Sequence, residues 1–325
     1  ALVSHSLLVV RDHGLPRFHM LVTVRDFALE QLSASGDEAA ARVALHEWAV
    51  DLCSQIRFPI DAGDFGDVSH PESRHHDRLF QQIAHNEAVI LQQLDRLLAR
   101  ADDYGSDHLP ADLRDAICLI GAALMRLWSV TWSYERIADY GPRLIGPAVQ
   151  PAQDLRGNEA GLSVLALCVT LFGLLSHVPT QVRSLLPASF DGEGSFNRVR
   201  RFLRAGDEQW PELIGDADPW VAWAATRCLA AQQEDDGDPQ ASLRTIETLL
   251  GRLHGNDLAG IHLLELHLHR LQVLMSLGRY SQVVDACSRA QVLLDRVLPS
   301  WGEFFRTTLR LEGAYCAVYL DPRPE

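Results

Sequence analysis

The sequence predicts an all-α fold, a stack of helix-turn-helix units preceded by one small β-hairpin. Apolar residues recur at helical spacing from Val22 to Tyr319 without an alternating stretch. Turn signals divide that pattern into lengths suited to paired helices, as at Asp236-Gly237-Asp238 and Gly278-Arg279-Tyr280. Of 325 residues, 47% are hydrophobic and 22% charged, a globular composition with no low-complexity tract.

The elements follow in order. Leu7–Val10 is a short apolar run, His13-Gly14-Leu15-Pro16 a turn and Arg17–Leu21 a second extended run, together a hairpin. A helix follows with Val24, Phe27, Ala28 and Leu32 on one face, closed by Ser35-Gly36. This order suits the tail of a winged-helix unit and equally an ordinary hairpin cap on a helical domain. Asp37–Phe58 is the next helix, capped by Asp37 and stopped by Pro59, and Asp61–Glu72 is a loop rich in Gly, Asp and Pro. Arg74–Ala101 reads as one long amphipathic helix carrying Leu79, Ile83, Ile90, Leu94, Leu97 and Leu98. Leu109-Pro110 opens a helix through Ile117, Ile120, Leu124 and Leu127 to Trp128. Tyr134, Ile137 and Ala138 lie on another, ending near Gly141-Pro142. Gly161–Val178 approaches the minimum length of a membrane span. Its Ser163, Thr170, Ser176 and His177, with no flanking arginine cluster, assign it instead to a buried helix at Leu162–Leu175.

Ala188–Ser195 (ASFDGEGS) is the expected hinge, giving three segments: 1–36, the hairpin and its helix; 37–188, a first helical module; and 196–325, a second. Past the hinge, Phe196, Val199, Phe202 and Leu203 form a stripe, and Arg198, Arg200, Arg201 and Arg204 a solvated face. Asp218-Pro219 starts a helix through Trp220, Trp223, Ala224, Cys228 and Leu229, and Pro239–Leu253 is its partner. Leu263–Leu277 and Ser281–Val297 form the next pair, and Trp301–Tyr319 is terminal. The string LGRYSQVVDACSRAQ resembles a tetratricopeptide repeat. Glycine frees the turn, tyrosine packs back on the first helix, and Ala290 permits close helix approach. Gly237 and Gly278 stand further apart than the usual period of about 34 residues. The expected architecture is therefore an irregular tetratricopeptide-like α-solenoid.

All 29 basic residues are arginine, and the formal charge is −14. A Walker A loop needs a lysine after its glycines, so this chain is expected to be no NTPase and no enzyme, with no cofactor of its own. Gripping duplex DNA needs clustered cations, which the charge opposes. His46-Glu47 begins a zinc-protease pattern that Val50 ends. His262, Glu265 and His269 share one helix face, with His267 nearby, but a repeat helix carries such residues without zinc, and no metal is expected. The six cysteines lie far apart in sequence, expected as reduced core residues of a cytoplasmic protein. The chain opens with neither methionine nor a charged-then-apolar leader, so no signal peptide is expected.

The string SLLVVRDHGLPRFHMLVTVRDFALEQLSASGD resembles a junction in large actinobacterial regulators of the antibiotic-regulatory-protein (SARP/AfsR-like) and LuxR-like types. The resemblance rests on Ser6, Leu7, Leu8, Arg17, Phe18, Met20, Leu21, Val24, Arg25, Ala28, Leu32 and Gly36. His46-Glu47-Trp48, the segment FQQIAHNEAVILQQL with Asn86, and DPWVAW at Asp218–Trp223 continue it. Val22-Thr23 departs from the usual pair, and Asp139–Phe190 matches only in helical character. The resemblance implies that residues 1–36 close a winged helix after a STAND-class (NB-ARC-like) ATPase module, with ATP and Mg belonging to that upstream module. It implies a sensing and protein-interaction repeat region in a signal-responsive transcriptional regulator. Its partners would be a protein or peptide, the ATPase or DNA-binding domains of the same protein, or a small-molecule signal, with no membrane or direct nucleic-acid contact.

The alternative is a helical scaffold with an enzyme or small-molecule site among the seven tryptophans and fourteen histidines. A candidate interaction surface comprises Trp223, Arg227, His267 and Arg270, read as exposed on the first helices of two repeats, with Trp223 equally suited to the core. Burying unpaired arginine is costly, so Arg227 and Arg270 are expected to face solvent or a partner. The isolated chain is expected to bind neither ATP nor duplex DNA at physiological salt; calorimetry showing micromolar binding of either would contradict this.

Overall fold

The computed structural model describes residues 8–12, 16–20, 22–56, 71–104, 109–131, 133–150, 160–161, 163–168, 201–202, 205, 207–253, 260–297 and 302–320. Among these the fold is nearly all helical. The chain forms two compact units, Ala1–Asp51 and Leu52–Glu325. In the first, β1 (Leu8–Asp12) pairs antiparallel with β2 (Pro16–Met20), Leu8 opposite Met20 and Asp12 opposite Pro16. Helix α1 (Val22–Ser35) follows, and Gly36, at φ 79°, makes the left-handed turn into α2 (Glu38–Ser54). Of the expected α1 face, Val24 and Leu32 are half-buried while Phe27 and Ala28 are exposed.

In the second unit the expected long helix is two: α3 (Pro71–His85) and α4 (Glu87–Asp102). The break is Asn86, whose side-chain Nδ2 donates to the Gln82 carbonyl at 2.7 Å and whose backbone sits at φ −107°, ψ 13°. Asparagine competes for backbone groups in this way and so interrupts helices. The apolar period runs through the break unchanged: Leu79, Ile83, Ile90, Leu94, Leu97 and Leu98 are all buried.

Helix α5 (Ala111–Val130) packs between α4 and α6 (Tyr134–Val149). The expected stop near Pro142 is overridden, because α6 continues through Pro142 and Pro147. Ile137, Leu144, Ile145 and Ala148 are buried along it, and packing offsets an internal proline's cost of about 3 kcal/mol. The orphan carbonyls at its end have a dedicated donor. Fully buried Arg114 gives Nε to the Pro147 carbonyl at 3.1 Å and Nη2 to that of Ala148 at 3.2 Å, while Nη1 pairs with Asp115.

Later elements are short α7 (Trp210–Leu213), α8 (Pro219–Asp235), α9 (Pro239–Arg252), α10 (Gly260–Ser276), α11 (Tyr280–Val297) and α12 (Gly302–Leu320). Each packs on its neighbour in sequence, and α8 also touches α10. Asp218 caps α8, accepting from the backbone N–H of Trp220 and Val221, and Asp238 caps α9; each precedes a proline at the first helical position. Gly237 (φ 81°) and Gly278 (φ 66°) take the left-handed backbone at the turns read from sequence. Arg201 is exposed and pairs with Asp216.

The expected hinge at 188–195, most of the apolar helix 162–175 and the side chains of Arg198, Arg200 and Arg204 lie outside the described residues. Among those described, no helix is long and apolar enough to cross a membrane. An ion pair joins α5 to α10, as described below. All six cysteines are free and buried, and burial pushes the thiols of Cys53, Cys118 and Cys287 up to about 12.

A Cβ at Gly161 would meet Arg114 Nη2 at 2.4 Å and the Ala148 carbonyl oxygen at 2.9 Å. Gly161→Ala is therefore expected to push Arg114 off the end of α6 and cost about 1–3 kcal/mol in urea unfolding, the range for overpacked sites. Gly251→Ala, with nothing within 4 Å of an added Cβ, is the matched control and should not destabilise.

Candidate functional site

Among the described residues, a cluster of buried polar side chains joins α5 and α8 to α10. Arg126 is the lone charge in the apolar run Ile117–Val130 of α5 and is 2% exposed. Its Nη1 donates to Glu265 Oε1 on α10 at 2.8 Å. The other carboxylate oxygen of Glu265 lies 3.4 Å from His262 Nδ1, one turn earlier on the same helix. From α8, Arg227 Nη1 donates to the backbone carbonyl of Glu265 at 3.3 Å. Trp223, one turn before Arg227, lays its ring on His262 with centroids 4.0 Å apart. Burial alone would raise the Glu265 carboxyl, but Arg126, the His262 hydrogen bond and Arg227 outweigh it and hold the group down at about 2.

A second polar pair lies further along the same helices. His269 Nε2 is 2.5 Å from Glu234 Oε1, which also accepts from Ser242 Oγ at 3.1 Å. Burial holds the His269 imidazole below its usual range despite Glu234. Several buried donors around these pairs lack any partner among the described residues: Arg126 Nη2, Arg227 Nε, Trp223 Nε1 and Thr226 Oγ1, with His269 Nδ1 also unmatched.

The structure corrects the exposure read from sequence. Trp223 and Arg227 are 2% and 5% exposed, so neither forms part of an outer surface. The argument against burying arginine fails at Arg227 because its partner is a carbonyl 38 residues away. His267 and Arg270 are half-buried on α10. Arg270 pairs with Glu247 of α9 at 2.9 Å, and burial, then Arg270 and Arg289, lowers the His267 imidazole to about 4. The four residues do not form one surface: two enter the Glu265 network and two lie beside it. His262, Glu265 and His269 divide between two histidine–carboxylate contacts, His262 with Glu265 and His269 with Glu234, and no group of metal-holding side chains occurs among the described residues. Arg126 and Glu234 were not anticipated. An arginine alone in fourteen otherwise uncharged positions was the available signal for the first.

No family model, curated protein or solved structure matches this chain. The site therefore has to be read from its own chemistry. It holds two arginines, an indole N–H and a carboxylate ionised at neutral pH in the protein interior, where polar contacts are strong and orientation-dependent.

The pKa shifts set the pH dependence of stability. Glu265 is held at about 2 against an ordinary 4.5, so its contribution is complete above 4.5 and lost as pH falls toward 2. His267, held at about 4 against 6.5, resists protonation when folded, so stability also declines as pH falls from 6.5 to 4. Urea midpoints measured against pH should show both declines. His267→Asn should flatten the upper window and Glu265→Gln the lower; unchanged profiles would refute the assignments.

Proposed function

We propose that this chain is the sensing and protein-interaction region of a signal-responsive transcriptional regulator whose ATPase core lies elsewhere in the polypeptide. The carrying observation is serial packing: from α8 to α12 each helix packs on its neighbours in sequence. Such nearest-neighbour stacking is the organisation of repeat proteins, whose extended surfaces bind other molecules. With left-handed glycines at the α8–α9 and α10–α11 turns, it supports an irregular tetratricopeptide-like solenoid.

The first segment supports the same reading. The paired strands Leu8–Asp12 and Pro16–Met20, followed by α1, have the order of the end of a winged helix. Residues 1–36 would close that unit, 37–188 form a first helical module and 196–325 a second, with the ion pair between α5 and α10 locking the modules together. Reduced, buried thiols fit a cytoplasmic setting. In this reading the repeat region restrains the ATPase until a signal binds, and ATP and Mg are used upstream only.

A reporter driven by the full-length gene product tests this. Truncation after Ala188 should raise both basal ATP hydrolysis and transcription. A parent polypeptide without a P-loop, or a truncation that leaves both outputs unchanged, would overturn the proposal.

A further inference from the structure

We infer that the Arg126–Arg227–Trp223 cluster is a binding site for the carboxylate group of a small organic acid. Both arginines are anchored by one nitrogen to the same residue: Arg126 Nη1 to the side chain of Glu265 and Arg227 Nη1 to its backbone carbonyl. Trp223 is held against His262 one turn away. Arg126 and Arg227 thus meet α10 at Glu265 and Trp223 meets it at His262, and Arg126 Nη2, Arg227 Nε and Trp223 Nε1 have no acceptor among the described residues. All three are donors and cannot accept. A buried donor without a partner is costly, and three on side chains that meet one helical turn define a place whose complement is an acceptor.

Charge selects the acceptor. Arg126 pairs with Glu265, whereas Arg227 donates to a neutral carbonyl and Glu234 faces His269 and Ser242, so Arg126, Arg227 and Glu265 together carry one positive charge when His262 is neutral. Glu265 stays ionised, held low by the cations around it. A dianionic phosphate would add two negative charges beside that carboxylate. A monocarboxylate adds one and offers two oxygens in a plane, matching donors presented by guanidinium groups and an indole edge. The Trp223–His262 ring pair borders the site and favours an acid with a flat or apolar body.

The inference deepens the sensing reading by naming the chemistry of the signal, and it rests on that reading for its biological purpose alone. Binding is measured on the 325-residue chain, with no ATPase or promoter present, so the two can fail separately. The probes are sodium acetate and sodium benzoate, with benzamide as the uncharged match to benzoate, and sodium phosphate and sodium chloride as the other anions. Thermal unfolding and calorimetric titration should show stabilisation and saturable binding with the carboxylates, strongest with benzoate, and neither with benzamide, phosphate or chloride. Trp223→Phe keeps an aromatic ring and removes the indole N–H together with the five-membered ring that carries it, so it should preserve the fold by circular dichroism and weaken benzoate binding about tenfold, the value of roughly one charge-assisted hydrogen bond. Arg227→Lys removes the Nε donor while retaining the charge and should weaken it comparably. No saturable carboxylate binding, equal response to chloride, preference for phosphate, or benzoate binding indifferent to both substitutions would overturn the inference.

Discussion

Arg126 and Glu265 lie 139 positions apart, and their ion pair governs how the second unit is put together. Bringing two such charges out of water costs several kcal/mol for each, recovered only when each has a close partner and further hydrogen bonds. Those conditions are met on the Glu265 side: one oxygen takes Arg126, the other faces His262, and the backbone carbonyl takes Arg227. Rotating α10 by one residue would carry the carboxylate away from all of them. The pair thus sets which face of α10 meets α5, a specificity that apolar packing alone supplies weakly because leucine tolerates many neighbours. Truncating either partner would leave an uncompensated charge inside, a loss of about 3–5 kcal/mol.

The same constraint explains the composition of α8. From Trp220 to Ala231 nearly every residue is buried, Thr226 and Arg227 included. A helix enclosed on so many sides has no face left for charge unless that charge is used, and Arg227 is used on Glu265. The alanines at 222, 224, 225, 230 and 231 allow α9 and α10 to approach closely, and Trp220 and Trp223 fill what they leave. At the far end the pattern reverses. Helix α12 presents Leu311, Tyr315 and Val318 to the outside at helical spacing while Leu309 and Cys316 face inward.

Local chemistry was legible and long-range chemistry was not. The caps Asp218 and Asp238, the prolines after them and the left-handed glycines at 237 and 278 act within a turn of themselves, and each marks its boundary in the sequence. The buried faces of α4 and α5 follow from apolar spacing alone. Asn86 and Pro142 misled in opposite directions. One side chain captured a carbonyl and split a helix that periodicity joined, while buried neighbours carried another helix through a residue that normally ends it. The site was half visible. His262, Glu265 and His269 were seen to share a helix face, but whether that face meets water or Arg126 depends on a contact between distant segments, which no local pattern encodes.

The sealed cysteines turn this chain into a record of its own opening. Each lies on a different helical segment: Cys53 on α2, Cys118 on α5, Cys168 within 163–168, Cys228 on α8, Cys287 on α11 and Cys316 on α12. Thiolate, not thiol, reacts with alkylating reagents, and a buried thiol titrating near 12 offers almost none at neutral pH. Alkylation at each position is therefore gated by exposure of the helix that carries it, and its rate reads the free energy of that local opening. With no lysine in the chain to compete for the reagent, peptide-resolved labelling would rank the helical segments by how often each comes apart.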